Sequence, residues 1–159
     1  MIMSSVRAEI LKTGVSQLKS AAIEIESPID KVFSLIATPK NHPLIDGSNS
    51  VKAVNWGPNR LSLGAKFGMK MKIGIPYRIT NTVTEFSENK VIAWRHLGRW
   101  VWRYELIEIG RDRVRVVESF DGRPSPLQWW LNARGAYAYV EKAMAKSLVR
   151  LKAIAEQNS

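Results

Sequence analysis

Val114-Arg115-Val116-Val117-Glu118-Ser119-Phe120-Asp121 is followed, after Pro124 and Pro126, by the run from Leu127 to Glu156, and the contrast between these two segments decides the fold. In the first, Val114, Val116, Glu118 and Phe120 fall on one side of an extended chain, the period-two mark of a strand with one buried face. In the second, Trp130, Ala133, Tyr137, Val140, Met144, Leu148, Leu151 and Ala155 recur at helical spacing. Lys142, Lys146 and Arg150 share a different face of that helix. One amphipathic helix over Leu127–Glu156 is expected, about 45 Å long at 1.5 Å per residue, and its apolar stripe needs a sheet to lie against.

Upstream the chain supplies that sheet. Strands are expected over Val51–Trp56, Lys66–Ile73, Tyr77–Phe86, Lys90–Leu97, Trp100–Ile109 and Arg113–Asp121. Gly57-Pro58-Asn59, Ser87-Glu88-Asn89 and Gly110-Arg111-Asp112 are turn chemistry between them, as in an antiparallel meander. No helical pattern separates these strands, which argues against a parallel, doubly wound sheet. An earlier strand is expected from Leu18 to Glu26, through Ala21, Ile23 and Ile25. Ser27 reads as a helix N-cap, with Pro28 at the first helical position and Asp30 in the first turn. Ile29, Val32, Phe33 and Ile36 then form a helical apolar face, and an irregular second helix is expected over Lys40–Asp46. Residues 1–16 read as a flexible N-terminal arm, leaving 17–159 as one domain. The fold class is α+β: seven antiparallel strands curved around a long C-terminal helix, with two short helices after the first strand.

At 159 residues, 45% of them hydrophobic and 24% charged, the chain is sized for one core. The absence of cysteine removes disulfides, thiolate zinc sites and cysteine nucleophiles, and two histidines are few for a catalytic zinc. No Gly-rich phosphate loop or nucleophile elbow occurs, so neither a metal nor another cofactor is expected. No apolar run reaches the roughly 20 residues that span a bilayer, and a cytoplasmic location is expected. The formal charge of +10 raises the prior for anionic partners.

The order of elements resembles the helix-grip fold of the SRPBCC superfamily, which includes START lipid-transfer domains, plant Bet v 1-like proteins and bacterial polyketide cyclases. The resemblance spans Leu18 to Glu156. It is carried locally by Ile25-Glu26-Ser27-Pro28-Ile29-Asp30-Lys31-Val32-Phe33 at the first strand-to-helix junction. Val91-Ile92-Ala93-Trp94-Arg95, Trp102-Arg103-Tyr104-Glu105-Leu106 and Val114 to Asp121 resemble late strands of the bacterial polyketide cyclase/dehydrase branch. The resemblance implies a cavity between sheet and helix. It also makes His42, Pro43 and Leu44 gate candidates. It does not choose among enzymes, carriers and sensors, which share this scaffold.

Alternation assigns side chains to that cavity. Phe67, Met69 and Met71 face in while Lys66, Lys70 and Lys72 face out, and Trp94, His96, Trp102, Tyr104, Glu118 and Phe120 face in from the later strands. Ala133, Arg134, Tyr137, Glu141 and Met144 are expected from the helix, with Arg134 and Glu141 pairing at the rim. A carboxylate on an apolar face is costly unless paired, hydrogen-bonded or neutral. Glu118 is therefore a ligand anchor, a general acid or base, or a member of a structural network with Tyr104 or His96; these three residues are the catalytic candidates. Trp94 and Trp102 are the expected pocket tryptophans among Trp94, Trp100, Trp102, Trp129 and Trp130, any of which could form an aromatic wall.

Lys66, Lys70, Lys72, Arg78, Arg95, Arg103, Arg113 and Arg115 fall on the convex side, where a solvated face is the plain reading. No nucleic-acid-binding signature accompanies them, and nucleic acid is not an expected partner. Transient contact with an anionic membrane or an acidic carrier protein fits better, with the chain a monomer or homodimer. The expected function is binding of a hydrophobic small molecule as carrier or sensor. The alternatives are a cyclase, aromatase or dehydratase using the polar pocket residues, and a regulator acting through the basic face.

Overall fold

The computed structural model describes residues 6–157. Strands β1 (Glu9–Leu11) and β2 (Leu18–Ile25) precede helix α1 (Ile29–Ala37), a 3-10 turn (Pro39–Asn41) and α2 (His42–Ile45). Strands β3 (Val51–Trp56), β4 (Lys66–Ile73), β5 (Ile75–Ser87), β6 (Val91–Arg95), β7 (Val101–Gly110) and β8 (Arg113–Asp121) follow, then α3 (Gln128–Ala133) and α4 (Ala136–Ala155). The strands form one eight-stranded sheet in the order β1-β2-β8-β7-β6-β5-β4-β3, with antiparallel neighbours throughout. Six successive strands thus meander, and the early strand β2 seats on the last one.

The strand count is eight where seven are expected. Within the segment read as a flexible arm, Glu9, Ile10 and Leu11 pair with Ala22, Ala21 and Ser20; three residues are too few to show a period, and a short edge strand is made by its partner. Residues 1–5 of the arm and 158–159 lie outside the described residues.

The single long helix is also corrected. Gly135 adopts a left-handed backbone with φ of 61° and separates α3 from α4. Trp130 and Tyr137 keep a helical spacing across the break, which is why periodicity reads through it. Glycine enters this conformation without the Cβ penalty other residues meet.

At α1 the cap lies one residue later than expected: Pro28 holds the N-cap position with an extended backbone, and no side chain caps the helix. The Ser27 hydroxyl is buried without a partner among the described residues. Asp30 stands in the first turn, and Val32, Phe33 and Ile36 are buried. The expected second helix is instead the 3-10 turn followed by α2, as Pro39 and Pro43 dictate.

Helix α4 packs chiefly against β2. Leu148, Leu151 and Ala155 are fully buried there with Ile25, Val114 and Val116, each large side chain contributing about 1.5–3 kcal/mol by leaving water. The loop after α2 is pinned to the same helix: the Gly47 N–H donates to Ser147 Oγ at 2.8 Å. A Cβ at Gly47 would lie 2.5 Å from both Lys146 Cβ and the Ser147 nitrogen, so only glycine allows this approach.

Candidate functional site

Between the concave sheet, α2 and the N-terminal half of α4 lies a cavity of about 660 Å³, ample for a drug-sized ligand. Strand alternation builds its floor. The burial of β8 alternates without a fault, so Val114, Val116, Glu118 and Phe120 all turn inward. Trp94 faces Trp102 across β6 and β7, and Tyr104 faces Glu118 across β7 and β8.

Of the residues expected at the site, Met69, Met71, Trp94, His96, Trp102, Tyr104, Glu118, Phe120, Arg134 and Met144 line the cavity. Phe67 does not: it is fully buried behind the wall, edge-on to Trp94 and His42. Ala133 is exposed on α3, because the break at Gly135 ends the periodicity that placed it inside. Tyr137 is buried beside the cavity, its hydroxyl donating to Gln128 Oε1 at 2.8 Å. Glu141 approaches Lys19 at 3.9 Å and forms no pair with Arg134, whose guanidinium lies 5.3 Å from the Trp130 ring centre. Trp100 and Trp130, stacked with centroids 6.1 Å apart, join the lining, whereas Trp129 is 71% exposed.

Glu118 is 3% exposed. Tyr104 donates its hydroxyl to Glu118 Oε1 at 2.9 Å, and Oε2 has no partner among the described residues. Burial raises the carboxyl to about 8, opposed by the Tyr104 hydrogen bond and aided by the Asp46 charge. At neutral pH the group is therefore mostly protonated. Because Oε1 is engaged as an acceptor, the proton sits on Oε2, which is then a hydrogen-bond donor. Burial, then the Glu118 charge, keeps the Tyr104 phenol well above its ordinary value, so this hydroxyl stays a donor.

His42, one of the gate candidates, is a wall residue. Its ring stacks on Trp94 with centroids 4.9 Å apart, and Nε2 lies 2.8 Å from the Ile36 carbonyl. A carbonyl only accepts, so Nε2 carries the hydrogen and Nδ1 is a bare acceptor, without a partner among the described residues. Burial lowers the ring to about 4, against the Ile36 hydrogen bond and the Asp46 charge, and it is neutral at pH 7. Leu44, by contrast, is exposed.

Asn81, overlooked in the sequence, is 1% exposed, lines the cavity, and its Nδ2 is unpartnered among the described residues. The signal was present: it interrupts the inward series Tyr77, Ile79 and Val83 as Glu118 interrupts β8. His96 lies in the turn after β6, where Nδ1 accepts from the Gly98 N–H at 2.9 Å and burial lowers the ring. Asp46 also lines the cavity, yet its carboxylate is occupied by the Ser48 N–H and hydroxyl and the Val51 N–H. Its work is to hold the loop into β3. Three buried polar atoms of the lining are thus without a partner among the described residues: a donor at Glu118, a donor at Asn81 and an acceptor at His42.

The mouth lies between the β4–β5 hairpin and the α3–α4 junction. Ile73, Ile75, Tyr77, Trp130, Arg134 and Tyr139 line the cavity while remaining exposed. Burial, then Tyr139 and Asp46, raises the Tyr77 hydroxyl. On the convex face the expected basic cluster is partly neutralised. Arg103 pairs with Glu85 and Glu105, Arg113 with Glu24 and Arg115 with Glu9. Among the described residues no group of three or more His, Asp or Glu gathers to hold a metal, and no helix is long and apolar enough to cross a membrane.

Known proteins place this geometry in context. Among solved structures, the Zhui aromatase/cyclase from Streptomyces sp. R1128 superposes with a TM-score of 0.68 at 17% identity, covering 88% of this chain and 93% of its own. Protein Ms6760 from Mycobacterium smegmatis gives 0.66 at 13% identity, over 94% and 99%. At such identities the likeness is one of fold, the helix grip. In sequence, the chain is 37% identical over 103 residues to Rv0088 of Mycobacterium tuberculosis, spanning 64% of this chain and 46% of that protein. The chain thus spans about half the length of the curated relative it matches. A family match covers residues 18–156, from the start of β2 to the end of α4, the same span that builds the cavity, and the chain belongs to the polyketide cyclase/dehydrase and lipid transport family.

Proposed function

We propose that this protein binds a hydrophobic small molecule, lipid-, polyketide- or aromatic-like, in its internal cavity as a cytoplasmic carrier or sensor. One observation carries the reading: a cavity of about 660 Å³ walled by Trp, Met and Ile side chains holds buried polar atoms with no partner among the described residues. A buried polar atom left unsatisfied costs about 1–3 kcal/mol, so a ligand gains affinity by hydrogen-bonding to these atoms. Each 100 Å² of apolar ligand surface buried adds about 2.5 kcal/mol. The aromatic faces of Trp94 and Trp102 suit a planar ring, and Glu118, Asn81 and His42 suit a polar end carrying both an acceptor and a donor. Native mass spectrometry of freshly purified protein is expected to show a co-purified small molecule. Titration with the neutral fluorophore N-phenyl-1-naphthylamine is expected to saturate at one site and to weaken at least tenfold in Met144→Trp, which fills the cavity. A folded Met144→Trp protein that binds the fluorophore unchanged defeats the proposal.

The second reading is an acid–base enzyme on the same scaffold, favoured by the protonated Glu118 backed by Tyr104. Such a carboxyl, poised near neutrality, is the group proton transfer needs, provided a reacting atom sits about 3 Å from Oε2. Glu118→Gln separates the two: turnover lost with fluorophore binding kept supports an enzyme, whereas a carrier loses affinity alone.

A further inference from the structure

In an antiparallel meander alternate turns fall at the same end of the sheet. The β4–β5 turn, the β6–β7 turn and the exit of β8 into α3 therefore share one end, and it is the end at which the cavity opens. Strand β5 pairs with β6 only from Thr82 onward, while Ile75–Asn81 pair with β4 alone. Backed by β3 as far as Lys72, the β4–β5 hairpin thus projects past β6 as a finger, tipped by Ile73 at 58% and Ile75 at 76% exposure. Leu97, at the β6–β7 turn, is 96% exposed, and Trp129 on α3 is 71% exposed. The Trp100–Trp130 stack holds that turn against α3. Such large apolar side chains, grouped at one end, call for a partner.

Charge says which partner. No acidic residue occurs in 66–84, 89–104 or 122–140; Asp121, where β8 leaves this end, is paired with Arg123, and Asp46 on the cavity wall is bound by Ser48 and Val51. Lys72 and Arg78 flank the finger tip and Arg99 flanks Leu97, all exposed, and none enters an ion pair among the described residues. Glu24, Glu85 and Glu105 instead neutralise arginines on the convex face.

We propose that this end docks on an anionic lipid surface, with Ile75, Leu97 and Trp129 entering the headgroup layer around the open cavity mouth. These side chains come from three separate elements, the β4–β5 turn, the β6–β7 turn and α3. A fluid interface conforms to each of them, tryptophan is favoured at that depth, and the flanking cations meet lipid charge. The proposal does not depend on what the cavity holds.

The test is sedimentation of the whole protein with sucrose-loaded vesicles, either pure phosphatidylcholine or phosphatidylcholine with one quarter phosphatidylglycerol. Binding to the anionic vesicles is expected in 50 mM salt, at least tenfold tighter than to the neutral ones, and weakened several-fold in 300 mM salt. Leu97→Asp combined with Trp129→Ala is expected to reduce vesicle affinity at least fivefold. Neither residue lines the cavity, so N-phenyl-1-naphthylamine binding should be unchanged, which also certifies the fold and separates docking from cavity binding. Equal binding by the double variant, or no sedimentation with anionic vesicles in 50 mM salt, overturns the proposal.

Discussion

The two halves of α4 meet the same sheet and do opposite things. From Leu148 to Ala155 the helix is sealed onto β2, with Leu148, Leu151 and Ala155 fully buried. From Ala136 to Met144 it spans a hollow, with Val140 and Met144 on the wall and Tyr139 half in water. Both halves carry the same apolar stripe. The difference teaches that a stripe specifies which face turns inward, whereas the distance to the opposing sheet decides whether that face is packed or lines a void.

The sharpest way to break this comparison is to truncate one residue in each half. Leu148→Ala opens a new cavity in packed surroundings and is expected to cost about 3–5 kcal/mol in urea unfolding. Val140→Ala enlarges a space that already exists, so only the transfer loss of about 1–2 kcal/mol is expected. Equal costs would mean that the hollow is filled in solution.

The polar wall makes the second comparison. A buried Glu118 at about 8, against 4.5 unfolded, leaves the native state binding more protons than the unfolded chain, so stability falls as pH rises from 4.5 through 8. Glu118→Gln keeps the acceptor for Tyr104 and removes that loss. It is expected to stabilise the protein by roughly 2–4 kcal/mol at pH 9 and much less at pH 4, measured by thermal melts across pH. A melting difference independent of pH would refute the protonated carboxyl.

His42 has the opposite sign. Held neutral, with its pKa at about 4 against 6.5 unfolded, it costs stability as pH falls from 6.5 towards 4. His42→Phe preserves a ring on Trp94 but strips the Ile36 carbonyl of its donor. A loss of about 1–2 kcal/mol at pH 7, shrinking at pH 4, is the expected outcome of the same melts. The smallest effect is expected at the joint between α3 and α4. A Cβ at Gly135 meets nothing within 4 Å, so Gly135→Ala costs only its left-handed backbone, about 1 kcal/mol in unfolding.

Much of the site was legible wherever a polar residue broke an apolar rhythm. Glu118 and Tyr104 stood out in this way, and Asn81 offered the same signal on β5. Phe67 and Ala133 show the limit of the method. Alternation placed Phe67 inward, but inward from β4 means against His42 and Trp94 before any cavity is reached. Helical spacing placed Ala133 inward, until the turn at Gly135 rotated α3 out of phase. His42 could not be found by period at all, because it sits in a four-residue helix too short to have one.

By itself, then, the sequence determined which residues turn from water, the antiparallel order of the strands and the presence of an amphipathic C-terminal helix. These are local matters of periodicity and turn chemistry, expressed within a few residues of chain. Only the tertiary structure decided that β2 closes on β8, that Glu9–Leu11 adds an edge, that α3 bends over the mouth and that one half of α4 stands clear of the sheet. Those outcomes depend on distances between elements far apart in the chain, and on desolvation at Glu118 and His42 that neighbours from several elements impose together.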